Sequence, residues 1–374
     1  MKEKKYSARL QETIDLLKSA VAEESKKASK KEVDMSFNKP VWNRMKYTVQ
    51  GVEKIENFNG LKIQNLDNIN IEVSENVFTK LRISNYFKYE SENYANLKKR
   101  ILIKGEIKEK IYITMELSKE NPHLVDVFNI ELEENAKAKI YIIYKGIDNE
   151  STYHNGYINV KANKGSNLEL ITIQTLNVNS ENFLGVDIDV KEDADVKHYS
   201  VEFGGMANVT SVSSNLLENR AKSLLLPVYL SDMERKTDYE YTLNFHGREC
   251  VADIDARGVT KDRAIKVFRG NLVFERFSSK SAGSESEFSI LLDKTVNAHS
   301  IPTLFCDEDD VIGAHSASIG KIDQDKLFYL MSRGFDSKSA KKLVVESSFE
   351  ILVFNAIEDE DMVGELKEIL ERRL

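Results

Sequence analysis

Four stretches of similar sequence decide the fold: ENAKAKIYI at 134–142, KGSNLELIT at 164–172, EDADVKHYS at 192–200 and ENRAKSLLL at 218–226. Each begins with a short polar turn and continues into alternating apolar residues, which is typical of a strand. Their starts are 30, 28 and 26 residues apart, and repeats of this length mark solenoids, whose coils bury their apolar faces on one another. A β-sandwich gives less reason for similar strand openings. We therefore favour a β-helix.

The alternating pattern extends well beyond the four repeats, from about residue 50 to residue 310. KVFRGNLVFERF at 266–277 is one further example. Only Pro122, Pro227 and Pro302 fall in this region. Because proline is hard to place in a central strand, its scarcity fits a continuous sheet.

The two ends of the chain have a helical pattern instead. At the N-terminus, Leu10, Ile14, Leu17 and Val21 form one stripe of a helix over 7–26. Trp42, near Pro40, is either part of a binding motif or a packing anchor, and the role of aromatic residues in cores favours the anchor. We expect an N-terminal helical segment at 1–50, a β-helix core at 51–315 and a C-terminal helical domain at 316–374.

Capping residues place the C-terminal helices. Asp323 is a good N-cap for the first, which ends at Gly334, and Asp336 or Ser337 begins the second. The last helix begins in the acidic run 358–361 and ends at Arg372 and Arg373, as the helix dipole favours. Its apolar face is formed by Val363, Leu366, Ile369 and Leu370.

Composition excludes several classes of protein. The net charge is −8, from 53 basic and 61 acidic residues, which argues against a general nucleic-acid surface. Only Cys250 and Cys306 are present, without a C-x-x-C pair. With no apolar run of membrane-spanning length and no secretory leader, we expect a cytoplasmic protein that binds neither nucleic acid nor membrane. No hydrolase, P-loop or dinucleotide-binding signature is present, so an autonomous enzyme is not expected.

Candidate metal ligands concentrate in residues 297–335. Seven of them fall within a span of 17 residues: His299, Cys306, Asp307, Glu308, Asp309, Asp310 and His315. They combine soft, borderline and hard donors. Because their spacing matches no defined site, composition alone favours the structural interpretation, with DEDD as a solvated turn and Cys306 as a small buried apolar residue. His198 lies in an alternating strand and is interpreted as a structural or surface histidine.

The run IPTLFCDEDDVIGAHSASIGKIDQDKLFYLMSRGF, 301–335, resembles the C-terminal signature of the SufB/SufD family of iron–sulfur cluster assembly scaffolds. The matching positions are Pro302, Leu304, Asp309, Asp310, Val311, His315, Gly320, Ile322, Asp323, Leu327, Phe328, Tyr329, Leu330, Ser332, Arg333 and Gly334. A fainter likeness at WNRMKYT, 42–48, points to the SufD side of the family. The resemblance is strong over 255–350.

This resemblance implies a right-handed parallel β-helix between helical ends. It implies a scaffold subunit that pairs with a SufB-like chain, or with itself in simpler systems. It also implies a SufC-type ABC ATPase partner, which would dock on the C-terminal helices. The motif residues of that docking site are Leu327, Phe328, Tyr329, Leu330 and Arg333.

His315 matches the histidine that the family places at the dimer interface and uses in cluster assembly. Ser316 stands where SufB has a glutamate, and SEFSILLDKTV lacks the thiol of SufB, so the resemblance favours SufD. No bound cofactor is assigned. The resemblance implies iron or an iron–sulfur cluster that is held transiently at the dimer interface.

Two alternatives remain open. One is a homodimeric scaffold that binds a cluster itself, with Cys306 and His315 of both chains as ligands. The other is a carbohydrate-active β-helix enzyme, which would need acidic pairs on successive coils.

Overall fold

The computed structural model describes residues 55–79 and 85–374. The predicted helix at 7–26, Trp42 and the whole expected segment 1–50 therefore lie outside the described residues.

The described residues form eighteen strands and four α-helices. The strands are β1 (Leu61–Gln64), β2 (Ile71–Ser74), β3 (Leu97–Ile103), β4 (Ile111–Leu117), β5 (His123–Leu132), β6 (Lys137–Gly146), β7 (Tyr153–Ala162), β8 (Asn167–Thr175), β9 (Glu181–Val190), β10 (Asp195–Glu202), β11 (Ala207–Leu216), β12 (Lys222–Ser231), β13 (Lys236–Phe245), β14 (Val251–Thr260), β15 (Ile265–Phe274), β16 (Ala282–Leu291), β17 (Asn297–Cys306) and β18 (Ile312–Lys321). The helices are α1 (Asn85–Tyr94), α2 (Gln324–Ser332), α3 (Ser337–Phe349), which continues into a π-helical turn at Glu350–Phe354, and α4 (Glu360–Arg373).

Successive strands alternate between two nine-stranded sheets. One sheet has the order β1-β4-β6-β8-β10-β12-β14-β16-β18, and the other has the order β17-β15-β13-β11-β9-β7-β5-β3-β2. From β3 onward all pairing is parallel, and partners on adjacent turns are 26 residues apart between Glu181 and Ala207 and 32 residues apart between Ile265 and Asn297. A sandwich of hairpins would pair antiparallel strands. The predicted, mostly β solenoid with helices towards both ends is confirmed.

The sequence repeat corresponds to one corner of the solenoid. Residues with a left-handed backbone stack there in six consecutive turns: Asn135, Gly165, Asp193, Arg220, Glu249 and Lys280, with φ between 57° and 67°. The N–H of each donates to a carbonyl of the next corner, as from Asn135 to Lys164 at 2.9 Å. A small buried residue follows each one: Ala136, Ser166, Ala194, Ala221, Cys250 and Ser281. A left-handed turn residue followed by a small buried residue therefore accounts for the four sequence repeats. The same pair recurs in two further turns, at Glu249 and at Lys280.

The C-terminal helices pack on the outer face of the sheet that contains β6 to β16. Phe349, Val353 and Leu370 are buried there against residues such as Tyr199 and Val228. Asp323, Asp336 and Asp359 cap the three helices through backbone N–H groups, so the first two predicted caps are confirmed. Gly334 ends α2 with φ 100°.

The boundary between the solenoid and the helices differs from the expected one. β18 runs from Ile312 to Lys321, so a division at 315/316 falls inside a strand. The strand continues because its backbone pairs with β16 along its whole length. Arg373 also does more than complement the helix dipole, since it ties α4 to the solenoid through Asp232, with Nη2 2.6 Å from Oδ1. In the described part of the chain, no helix is long and apolar enough to cross a membrane.

Candidate functional site

The two ends of the solenoid are built differently. At the first end, the short strands β1 and β2 pair antiparallel with β4 and β3. At the other end, β17 and β18 are the last strands of their sheets, and each pairs on one side only among the described residues. Parallel strands of a solenoid normally pair on both sides, so within this part of the chain the last turn presents a row of unpaired backbone N–H and C=O groups.

The last turn also exposes its inward-facing side chains. Leu304 pairs in register with the buried Leu272, and Ile319 pairs with the buried Ser289. Because partners in neighbouring parallel strands point to the same side of the sheet, Leu304 and Ile319 continue the interior columns of the solenoid. Both are exposed, since no further turn covers them within the described residues. We call this surface, formed by β17 and β18, the open end.

His315 and Cys306 both lie at the open end, in interior columns of opposite sheets. His315 pairs with Glu285, which pairs with the buried Ile254. Cys306 pairs with Phe274, which is buried. His315 and Cys306 are themselves exposed. The interpretation of Cys306 as a buried apolar residue is therefore wrong, because no turn within the described residues covers its column.

The other candidate ligands at 297–335 do not converge. His299 lies between inward-facing residues of β17, so it belongs to the opposite side of the strand. Glu308 accepts a hydrogen bond from the N–H of Phe277 at 2.9 Å, as a corner residue. The backbone carbonyl of Asp310 accepts a hydrogen bond from the N–H of the corner residue Lys280. Among the described residues, no three His, Cys, Asp or Glu side chains are grouped to hold a metal ion.

A buried charged cluster lies one turn below the open end, and the sequence analysis missed it. Lys266 Nζ is 2.5 Å from Glu287 Oε1, and it also donates to Ser300 Oγ at 3.1 Å. The hydroxyl of Tyr229 donates to Glu287 as well. Lys266 and Glu287 have no exposed side-chain surface. Burial lowers the pKa of Lys266, and the nearby Glu287 opposes this shift.

Glu285 completes the cluster, two residues before Glu287 on the same side of β16. It is 2% exposed, and its side chain lies against the backbone of Gly270 on the opposite sheet. Burial, and then repulsion from Glu287, raise the pKa of Glu285 to about 7. The alternation of SESE at 284–287 resembles an ordinary half-exposed strand, so the only sequence signal was a pair of glutamates in inward positions.

His198 is a structural residue, as the sequence indicated. It is buried in the interior of the solenoid, with Nε2 2.9 Å from Thr172 Oγ1. Burial lowers the pKa of His198 to about 3, so its imidazole is neutral in the folded protein at neutral pH.

The expected docking residues separate into two groups. Phe328 is 74% exposed and Tyr329 is 56% exposed, and the guanidinium of Arg333 lies 5.3 Å from the Tyr329 ring centre. Leu327 is only 7% exposed, and Leu330 packs against the same core. Helical periodicity puts these two leucines on the inner face of α2. They hold the helix in place, and the side chains available to a partner are Phe328, Tyr329 and Arg333.

Comparison with known proteins identifies the family. Residues 115–348 match the family described as SUF system FeS cluster assembly, SufBD core domain. The chain is 30% identical over 141 residues to the iron-sulfur cluster assembly protein SufD of Bacillus subtilis, covering 38% of this chain and 32% of that protein. It is 26% identical over 253 residues to SufD of Escherichia coli, covering 66% of this chain and 58% of that protein.

A SufBD family protein of Mycobacterium leprae is 26% identical over 168 residues, which is 42% of each chain. The chain thus spans between about a third and three fifths of the length of these relatives. The sequence resemblance to the SufD side of the family is confirmed, and the chain belongs to the SufBD core family of the SUF iron–sulfur cluster assembly system.

Proposed function

We propose that this chain is a SufD-like scaffold subunit of iron–sulfur cluster assembly in the cytoplasm, and that it works without enzymatic activity of its own. The observation that carries the proposal is the open end, where the described part of the chain leaves two strand edges unpaired and a histidine exposed. A second scaffold chain, SufB-like, would cover this surface. Its strands would satisfy the free backbone groups, and its side chains would bury Leu304 and Ile319.

A SufC-type ATPase would bind on the C-terminal helices. The exposed aromatic residues Phe328 and Tyr329 support this assignment, because aromatic side chains and arginine are the residues that most often anchor protein interfaces. The helices are fixed to the solenoid through their buried faces and through Arg373. A displacement imposed on them by the ATPase would therefore reach the solenoid as a rigid-body motion and open the scaffold interface.

The family places cluster assembly at the interface between two scaffold chains, and His315 is the residue here that would take part. A neutral imidazole is a suitable iron ligand. Iron or the nascent cluster is the cargo in this proposal, held transiently while the interface is closed.

A homodimeric scaffold is the second candidate. It is favoured by one observation, the presence of both Cys306 and His315 at the open end. Two copies meeting end to end would bring two thiols and two imidazoles to one interface, which is a sufficient donor set for a cluster.

Family membership favours either scaffold over a carbohydrate-active enzyme. One acidic pair, Asp253 and Asp255, lies on the outer face of β14, on a single coil rather than on successive coils. Ser284 donates to Asp253, and Ser286 and Arg257 bind Asp255, with Arg257 Nη2 3.0 Å from Asp255 Oδ1. These contacts occupy the carboxylates.

The test is co-expression of the chain with a SufB-like protein and a SufC-type ATPase, followed by purification and mass measurement of the complex. A stable complex that contains all three proteins supports the SufD-like role. A complex of the ATPase with two copies of this chain replaces it with the homodimeric scaffold. Failure to bind either protein would refute both.

A further inference from the structure

Glu285 is a buried carboxylate without enough positive charge around it. The charged groups facing it in the lumen are Glu287 and Lys266, and when Glu285 is ionised the three groups carry a net charge of −1. Lys266 bonds to Glu287, and within the described residues Oε2 of Glu285 has no hydrogen-bond partner. Removing a carboxylate from water is costly unless a counter-charge or donor compensates it. A bound cation at this site would compensate the charge of the buried carboxylate.

Glu285 lies one turn away from the open end. Its register partner on the last turn is His315, and adjacent strands are about 4.8 Å apart. His315 is exposed, and Glu285 lies one turn deeper in the lumen, where its side chain reaches Gly270 on the opposite sheet. A cation entering through the open end would meet His315 first and Glu285 one turn deeper.

The room for the carboxylate is provided by Gly270. A Cβ on this residue would lie 2.4 Å from Glu285 Cγ and 2.5 Å from its Oε1. Gly270 does not adopt a left-handed backbone. An alanine there is compatible with the strand but displaces the Glu285 side chain.

We propose that Glu285 and His315 are two ligands of a binding site for a divalent transition-metal ion of the Fe(II) class at the open end. A carboxylate oxygen with an imidazole nitrogen is a borderline donor pair, which suits Fe(II), Co(II) and Mn(II). Water and the partner scaffold chain supply the other ligands. The inference rests on the proposed function, in which iron is cargo, and it adds Glu285 as the residue that draws the ion into the lumen.

The two-ligand arrangement has a functional consequence. One chain holds the ion weakly and exchangeably, and the closed interface of two chains holds it tightly. Loading and retention are then separate events, controlled by whether the interface is open.

The experiment is an anaerobic titration of the purified full chain with Co(II), followed by visible absorbance, and repeated with Fe(II) by calorimetry. The test variants are Glu285→Gln, His315→Ala and Gly270→Ala. The controls are Asp309→Asn and His246→Ala, which alter an exposed acidic residue beside the last turn and an exposed histidine on another corner. Thermal melting shows that each variant is folded.

We expect one site per wild-type chain. Each test variant weakens binding by about tenfold or more, and the controls leave it unchanged. The Gly270→Ala result is the most specific, because it moves the carboxylate without removing it. Equal affinity in wild type and Glu285→Gln, or no binding by the wild type, would overturn the inference, and Glu285 would then hold only a proton.

These outcomes are separable from those of the co-purification test. If the complex with the ATPase forms but Glu285→Gln binds Co(II) as tightly as the wild type, the proposed function stands and the metal site is refuted. If binding depends on both ligands but no complex forms, the metal site stands and the scaffold role falls.

Discussion

Glu285 and His315 face the same side of neighbouring strands, and only one of them is covered by protein. The register of β16 and β18 pairs the two residues. The carboxylate is enclosed by the preceding turns, whereas the imidazole has no turn above it within the described chain. A residue that is inward-facing by register and yet exposed marks a surface that is completed by something else.

Loss of the His315 imidazole should impair cluster assembly and leave the fold intact. The side chain is exposed, and exposed substitutions usually change the free energy of unfolding by less than about 0.5 kcal/mol. We expect His315→Ala to have wild-type melting and to lose cluster assembly in a complementation assay. His246→Ala is the matched control. Normal assembly by His315→Ala would remove the residue from the mechanism.

Docking of the ATPase should depend on the outer face of α2. Phe328→Asp and Tyr329→Asp put a charge on the exposed aromatic surface, so we expect both to abolish co-purification with the ATPase without altering the melting temperature.

Leu327→Ala should behave in the opposite way, because it removes a buried side chain. We expect it to destabilise the folded state by about 2–4 kcal/mol, measured by urea unfolding. If Phe328→Asp and Tyr329→Asp retained the ATPase, docking would have to be assigned to another surface.

Pairing between scaffold chains should be sensitive to charge at the open end. Leu304→Asp introduces a carboxylate into the apolar interior column, where a partner would bury it at high cost. We expect loss of the complex by size exclusion with light scattering. Ile69→Asp, on a fully exposed apolar residue near the first end, should leave the complex unchanged. The opposite pattern would place the interface at the other end of the solenoid.

The two thiols report on the same surface. Cys306 is exposed, whereas Cys250 is buried in the corner stack, and burial raises the pKa of its thiol. A thiol reagent should therefore label one cysteine rapidly in the isolated chain. Binding of a scaffold partner should slow that reaction, and unchanged labelling in the complex would show that Cys306 lies outside the interface.

Acid should destabilise the solenoid partly through His198. The folded protein keeps this side chain neutral, because burial lowers its pKa to about 3. The unfolded chain binds a proton below pH 6.5. Stability is therefore lost as the pH falls from about 6.5 towards 3, by about 2 kcal/mol at pH 5 from this group alone. The free energy of unfolding, measured with urea at pH 8 and pH 5, should therefore fall by about 2 kcal/mol less in His198→Gln than in the wild type. An equal fall in both proteins would contradict the assignment.

The solenoid was predictable because its corners leave a local trace in the sequence. A left-handed residue followed by a small one, as in Asn135 with Ala136 or Asp193 with Ala194, can be recognised without knowing the fold. The same corner at Glu249 and Cys250 was missed, because a cysteine there does not resemble the alanine or serine of the other turns.

The charged cluster was not predictable, for a different reason. Lys266 and Gly270 lie on β15 and Glu285 lies on β16, so they meet only because both strands point these side chains into the lumen. Alternation alone does not tell which side of a strand faces inward. Likewise, the docking motif was visible in the sequence, but only the packing of α2 separates the buried Leu327 from the exposed Phe328.

The antiparallel strands β1 and β2 bear on the size of the proposed assembly. They are only four residues long, and they close the first turn with a direction of pairing that a further parallel coil cannot continue. A rod with two matching ends could polymerise without limit. In the proposed assembly only the open end, among the described residues, offers unpaired strand edges, so face-to-face association through it would stop at two chains.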